Sequence, residues 1–192
     1  MDIEIKIRRA RVGDVQQIVS LINSFAEKGE MLYRSQSQIL QQIRNYFVAA
    51  APNHDDRNSV NSPVEASYPS PDIDGPASQI LACGSLDITW NDLAELRSLA
   101  VRPDAQDKGI GTQVVEALMD DAMELGLKHV FALTYKPHFF ERLGFKIIDK
   151  QLLPHKVWSI CIDCLKFPVC DEVAMQIEIE DWIRNRIPRE AK

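Results

Sequence analysis

Two stretches of the chain hold residue types suited to chemistry at telling spacings. The first is Gln106-Asp107-Lys108-Gly109-Ile110-Gly111-Thr112, with two glycines one residue apart where a polar loop meets an apolar-periodic segment. The first amides of a helix have no partner within it. Glycine lets a ligand approach that backbone closely, and the helix dipole favours an anion there. A pyrophosphate suits such a loop. The spacing is neither G-x-x-x-x-G-K-[ST] nor G-x-G-x-x-G, which sets aside a P-loop nucleotide enzyme and argues against a dinucleotide fold. Two glycines alone describe a tight, ligand-free loop as well as a phosphate cradle. The second stretch is Cys161-x2-Cys164-x5-Cys170, with His155 upstream. Three thiolates and an imidazole can complete a tetrahedral zinc shell. The second cysteine pair is not C-x-x-C, so reduced thiols that merely pack, or a Cys161–Cys164 redox pair, stand beside the zinc reading. A structural disulfide is not expected in the cytosol. Cys83, within a strand-like run, reads as core.

The elements that must position these residues follow from periodicity. Ile3, Ile5 and Ile7 alternate as in a strand. Asp14 reads as an N-cap with Gln17 three residues on, and Val15, Ile18, Val19, Ile22 and Phe25 follow at helical spacing. A second helix is expected over about Ser37–Phe47, burying Ile39, Leu40, Ile43 and Phe47. Five of the ten prolines fall between Pro52 and Ser78 among Asn, Asp and Ser. That stretch reads as a disordered insertion, with a long lid as the alternative. Strands are expected over Ile80–Ile88 and Glu95–Val101, joined through Trp90-Asn91-Asp92 as a hairpin. A helix should run from about Gly109 to Leu125, stopped by Gly126. His129–Thr134 reads as a strand, Pro137–Leu143 as a short helix and Phe145–Ile148 as a strand. Val173, Met175, Ile177 and Ile179 form a last alternating strand before a charged end. This order is mixed α/β (α+β).

Composition agrees with one globular domain. The chain has 192 residues, a net charge of −6, 45% hydrophobic and 26% charged residues. One domain over 1–180, interrupted at 52–78 and followed by a charged tail at 181–192, is the expectation. No apolar run reaches the ~18 residues of a membrane helix. The start of the chain alternates charge with isoleucine where a signal peptide needs a solid apolar stretch, so a cytoplasmic protein is expected. With no basic block and a net negative charge, nucleic acid is not an expected partner.

The segment Leu99-Ala100-Val101-Arg102-Pro103, then Gln106-x-x-Gly109-x-Gly111, an amphipathic helix, and Phe139-Phe140-Glu141-Arg142-Leu143-Gly144-Phe145 together resemble the GNAT family of acetyl-CoA-dependent N-acetyltransferases. The motifs cover about Gln79–Ile148. The resemblance implies a mixed central sheet with splayed central strands flanked by helices. It implies that acetyl-CoA is the co-substrate, bound by the backbone of Leu99 and Val101 and by Gln106, Asp107, Lys108, Gly109, Ile110, Gly111 and Thr112. Three further segments, Glu30–Ser35, Ala94–Val101 and Phe131–Thr134 with the later Leu152-Leu153-Pro154, are similar to the acetyltransferase domain of the amino-acid N-acetyltransferases within that family. Those enzymes make N-acetylglutamate and open arginine biosynthesis. Many carry an N-terminal amino-acid-kinase domain; 192 residues leave no room for one, and the short stand-alone form is the expected likeness. The implied partners are the small molecules acetyl-CoA and L-glutamate, with a homodimer left open and neither nucleic acid nor membrane.

Transfer chemistry then assigns roles. An amine attacks a thioester only as the free base, so a carboxylate near the acetyl carbon is wanted. Glu95, on the strand bordering the cofactor, is the candidate base, against a bland salt-bridging role. A backbone amide near Leu99 would serve the oxyanion. Where many GNAT enzymes place a tyrosine acid, four residues before the glycine of the L-G-F motif, this chain has Phe140. Tyr135 is the substitute candidate, His138 a second, and unaided thiolate departure a third. Arginine grips carboxylates with a two-pronged fork. Arg34, after the first helix, is the first candidate for the acceptor's carboxylate and Arg97 the second; Lys28 and Arg44 read as solvated helix charges. Acetylation of a polyamine, an antibiotic or a protein N-terminus, and a non-catalytic acyl-CoA sensor, are the competing functions. A polyamine pocket should be acidic and a glutamate pocket basic.

Overall fold

The computed structural model describes residues 4–52, 78–153 and 171–186. The expected insertion (52–78) falls almost wholly outside them, as do His155, Cys161, Cys164 and Cys170. Among the described residues no group of three or more His, Cys, Asp or Glu side chains is placed to hold a metal ion.

Seven strands build one sheet: β1 (Lys6–Arg9), β2 (Tyr46–Ala51), β3 (Gln79–Trp90), β4 (Leu93–Val101), β5 (His129–Thr134), β6 (Lys146–Ile147) and β7 (Val173–Glu178). Their order is β1-β2-β3-β4-β5-β7-β6. Every neighbouring pair is antiparallel except β4 and β5, which run parallel. Among the described residues five α-helices flank it: α1 (Val15–Ala26), α2 (Gln36–Gln41), α3 (Ile110–Glu124), α4 (Pro137–Arg142) and α5 (Ile179–Arg186).

Alternation along the strands sends side chains to two cores. On one face Val48, Ala50, Ile80, Cys83 and Ala100 pack against Ile18 and Ile22 of α1 and Ile39 of α2. On the other, Ala49, Ala82, Leu86, Ala94 and Leu96 meet Val114, Val115, Leu118 and Met119 of α3. Phe140 of α4 and Trp182 of α5 complete that second core. Among the described residues no helix is long and apolar enough to cross a membrane.

Three sequence expectations change. The helix expected over Ser37–Phe47 stops at Gln41; a 3-10 turn follows, and Tyr46–Ala51 is a strand. Ile43 and Phe47 matched a helical face, but a short apolar run fits either period. Pairing with both β1 and β3 decides it, because Tyr46-Phe47-Val48 are strand-forming types with partners on each side. Asp14 stands at the N-cap position of α1, as expected, but its side chain makes no capping bond to that helix. Its carboxylate accepts the Arg11 N–H at 2.8 Å and pairs with Arg8 at 2.6 Å, closing a 3-10 turn instead. Gln17, expected in that capping box, tethers α1 to the start of β3: its amide accepts the Ile80 N–H at 2.9 Å and donates to the Ser78 carbonyl at 3.1 Å. Last, Ile179 opens a helix rather than ending a strand, and α5 buries Trp182 within the charged end of the chain.

Two irregularities shape the centre of the sheet. β4 and β5 pair only at Leu93/His129, Ala94/Val130 and Glu95/Phe131. Beyond Glu95 they diverge, β4 continuing along β3 and β5 along β7. β4 also carries a bulge: Cys83 faces Ala100 and Ser85 faces Arg97, so two steps on β3 span three on β4. Ser98 sits in the bulge at φ 52°, in the left-handed region that a non-glycine residue rarely occupies.

Candidate active site

The diverging strands open a cavity of about 890 Å³. Its walls are β4 from Glu95 to Val101, the loop entering α3, the loop between α1 and α2, and the segment from the end of β5 into α4.

One wall is backbone. After Pro103–Ala105 the chain turns through Asp107 at φ 59° and Gly109 at φ 75° into α3. The first helical bond at this end is donated by Gln113 to the Gly109 carbonyl. The amides of Ile110, Gly111 and Thr112 therefore precede the helical ladder and face out of its positive end. No side chain caps this terminus. The long side chains of the loop turn inward on it. Gln106 donates to the Val101 carbonyl at 3.1 Å and Lys108 to the Asp104 carbonyl at 2.8 Å. The Arg102 guanidinium grips Asp104, bonding it through Nε at 2.7 Å, and lowers that exposed carboxyl's pKa. The glycines differ in purpose. At Gly109 a Cβ would meet nothing within 4 Å, and the positive φ is what calls for glycine. At Gly111 a Cβ would lie 3.2 Å from Val101 and 3.6 Å from the Phe139 ring, so close packing of α3 on β4 and α4 is the reason there.

The opposite wall is charged side chains. Glu95 and Arg97 share one face of β4, and Asp87 lies directly across from Glu95 on β3. Arg97 pairs with Asp87 at 3.3 Å and with Glu95 at 3.5 Å. Asn45 donates to the other Asp87 oxygen at 3.0 Å. Glu95 is 7% exposed. Burial pushes its carboxyl up to about 7; Asp87 adds to the rise and the Arg97 and Arg34 charges oppose it. A carboxyl raised that far can ionise near neutral pH and is then a stronger base towards an ammonium than an ordinary carboxylate.

Arg34 completes this wall. Its backbone is held by Asn23, but its guanidinium makes no hydrogen bond or ion pair among the described residues. Burial and the neighbouring Arg97 charge lower its pKa. A half-buried guanidinium, unpaired among the described residues and beside a second one, has the chemistry to receive an anion.

Nearly all the residues expected at the site line this cavity: Glu95, Arg97, Leu99 and Val101, the loop from Gln106 to Thr112 apart from Lys108, Arg34, Tyr135 and His138. The Tyr135 hydroxyl donates to Asp171 at 2.7 Å. The His138 ring, largely exposed, sits 2.8 Å from Glu141. Phe140 is buried edge-on between Phe139 and Phe145. Sequence reasoning missed Asp87, Asn45 and Asn23. The signal for Asp87 was available: it is a carboxylate inside an otherwise apolar strand run.

Outward-facing amides at a helix start, a cleft between splayed strands and a buried near-neutral carboxylate are parts that acyl transfer from a phosphate-bearing carrier can use. Comparison with known proteins shows the family. The acetyltransferase (GNAT) family model matches residues 41–145, more than half the chain. An uncharacterized N-acetyltransferase of Chlorobaculum tepidum is 35% identical over 169 residues, 88% of this chain and 93% of that protein. An amino-acid acetyltransferase of Mycobacterium tuberculosis is 32% identical over 143 residues, 74% of this chain and 69% of that enzyme. A crystal structure of a Mycobacterium tuberculosis protein in complex with coenzyme A matches with a TM-score of 0.66 and 25% identity, covering 90% of this chain and 98% of that one. The chain belongs to the GNAT family and is an acetyl-CoA-dependent N-acetyltransferase.

Proposed function

We propose that the enzyme transfers the acetyl group of acetyl-CoA to the α-amine of L-glutamate, making N-acetylglutamate for arginine biosynthesis. The observation that carries the reading is the Arg34 guanidinium, unpaired among the described residues, half-buried and next to Arg97 on the wall that also holds Glu95. An acceptor rich in carboxylate supplies the partner that this guanidinium lacks there. A polyamine would bring further positive charge against it.

The residues then divide the work. The amides at the start of α3 hold the pyrophosphate, and the arm of the carrier follows β4 from Val101 towards Glu95. Glu95 takes a proton from the glutamate ammonium, directly or through a water. The freed nitrogen attacks the thioester carbonyl. A backbone N–H near Leu99, displaced from regular pairing by the bulge at Ser98, receives the oxyanion. The C–N bond forms, the nitrogen sheds its second proton to solvent, the C–S bond breaks, and the thiolate leaves with a proton from solvent or from Tyr135 at the cavity wall. The structural zinc considered for Cys161, Cys164 and Cys170 has no part in these steps.

The test is thiol release from acetyl-CoA with a panel of amino acids, diamines and polyamines. Glutamate should give the highest kcat/KM. Preference for a polyamine, or no turnover with any α-amino acid, overturns the reading.

A further inference from the structure

Arg34 lies in a loop, and a loop residue is a poor clamp unless something fixes its backbone. Binding would otherwise have to order it, and that cost comes out of affinity. α1 stops with Gly29 at φ 74°, its amide donating to the Ala26 carbonyl. α2 starts at a capping box: the Gln38 N–H bonds the Ser35 hydroxyl at 3.2 Å and the Ser35 N–H bonds the Gln38 amide oxygen at 2.8 Å. Arg34 immediately precedes that box. Asn23, in the last part of α1, devotes both poles of its side chain to Arg34. Its Nδ2 donates to the Arg34 carbonyl at 3.1 Å, and its Oδ1 accepts the Arg34 N–H at 3.0 Å. Asparagine is a poor helix former, so its place inside α1 calls for a compensating role. α1 packs through Ile18 and Ile22 on the face of the sheet that includes Cys83 and Ala100. The clamp thus refers Arg34 to the same strands that carry Glu95 and Arg97.

We propose that Asn23 is a positioning residue of the acceptor site, acting solely by holding the Arg34 backbone where its guanidinium meets the substrate carboxylate. This inference rests on the reading of Arg34 as the carboxylate receptor. The experiment is a double-mutant cycle in the full chain: Asn23→Ala, Arg34→Ala and the double variant, with KM for L-glutamate and for acetyl-CoA and the Tm of each. Asn23→Ala should raise the glutamate KM about tenfold, the size expected for losing a hydrogen-bonded anchor. Acetyl-CoA KM should stay within about twofold. In the Arg34→Ala background the same change should cost nothing further, since it acts through a side chain already gone. Asn23→Asp keeps an acceptor for the Arg34 N–H and loses the donor to its carbonyl. It should fall between Asn23→Ala and wild type, and it replaces Asn23→Ala in the cycle if that variant does not fold. A wild-type glutamate KM in the Asn23 variants, with Arg34→Ala impaired, overturns the inference and leaves the function standing. So do additive effects in the double variant, which would place Asn23 on a path that bypasses Arg34. A wild-type glutamate KM in Arg34→Ala alone overturns the carboxylate reading itself, and the inference with it.

Discussion

The two walls of the cavity solve opposite problems with opposite materials. The cofactor wall presents main-chain amides, and its polar side chains, Gln106 and Lys108, are spent bracing the loop from inside. The acceptor wall presents side chains from two separated segments, Arg34 before α2 and Glu95 with Arg97 on β4, with Asp87 of β3 pairing with Arg97 behind them. In the proposed reading, the backbone cradle recognises what every acetyl-CoA molecule carries, and the charged side chains recognise the acceptor and tune the proton transfer. The lesson is that one wall can stay constant while the other is respecified residue by residue.

Breaking the acceptor wall should have the largest effects. Glu95→Gln keeps the shape and removes the base, so kcat at pH 7 should fall by about 10²–10⁴-fold, with the loss shrinking at high pH. In the wild type the acid limb of the rate profile should lie near pH 7, because Glu95 must be ionised and burial holds its carboxyl at about 7. Stability should move the other way. A carboxyl whose folded pKa is raised binds a proton more tightly folded than unfolded, so its contribution to stability falls as pH rises from about 4.5 to 7. Glu95→Gln should therefore raise Tm at pH 8 and match wild type at pH 4.5. A wild-type kcat in Glu95→Gln at pH 7 would move the base elsewhere. Next in size is Arg34→Ala. Losing a charge-assisted hydrogen bond costs about 1.5–3 kcal/mol, roughly ten- to a hundredfold in glutamate KM, with acetyl-CoA KM unaffected. Equal rises in both KM values would mean that the walls do not act separately.

The glycines sharpen the contrast within the cofactor wall. Asparagine tolerates the left-handed region, so Gly109→Asn should keep Tm while its side chain, entering open space at the ligand's approach, raises acetyl-CoA KM about five- to tenfold. Gly111→Val should instead lower Tm, because its side chain is driven into Val101 and Phe139. If Gly111→Val leaves Tm unchanged and only weakens acetyl-CoA binding, that glycine too serves the ligand.

The difference between the walls also explains what was legible in the sequence. The turn into α3 is contiguous and its logic is local, so Gln106-x-x-Gly109-x-Gly111 before an amphipathic run was enough to expect a glycine-shaped helix start there. The strands bordering it, 79–90 and 93–101, were readable from composition and the turn between them. The acceptor wall depends on register. That Asp87 lies across from Glu95 follows only from the hairpin pairing, and that Asn23 reaches Arg34 follows only from how α1 and its loop pack. β2 was misread for a related reason. Its apolar residues also fit a helical period, and the strand exists because β1 and β3 lie on either side of it. Gln17 and Asp14 carried true helix-start chemistry, but β3 claimed the Gln17 side chain and the turn just before α1 claimed that of Asp14.

The smallest expected effects test whether the cofactor wall really works through its backbone. Lys108 and Gln106 occupy positions where a phosphate contact is the obvious guess. In the structure the Lys108 ammonium bonds the Asp104 carbonyl and does not line the cavity, while the Gln106 amide holds the Val101 carbonyl. Both bonds are exposed, and an exposed neutral hydrogen bond contributes about 0.5–1.5 kcal/mol at most, only part of which would be felt at the ligand. Lys108→Ala and Gln106→Ala should therefore raise acetyl-CoA KM by no more than about threefold. For Lys108→Ala the salt dependence is the more telling measurement. If its ammonium braces the loop, the slope of log KM against log salt should match wild type, because no phosphate contact has been lost. A tenfold rise that vanishes at high salt would show the ammonium leaving Asp104 for the phosphates. The cofactor wall would then read its ligand with a side-chain charge, as the acceptor wall does.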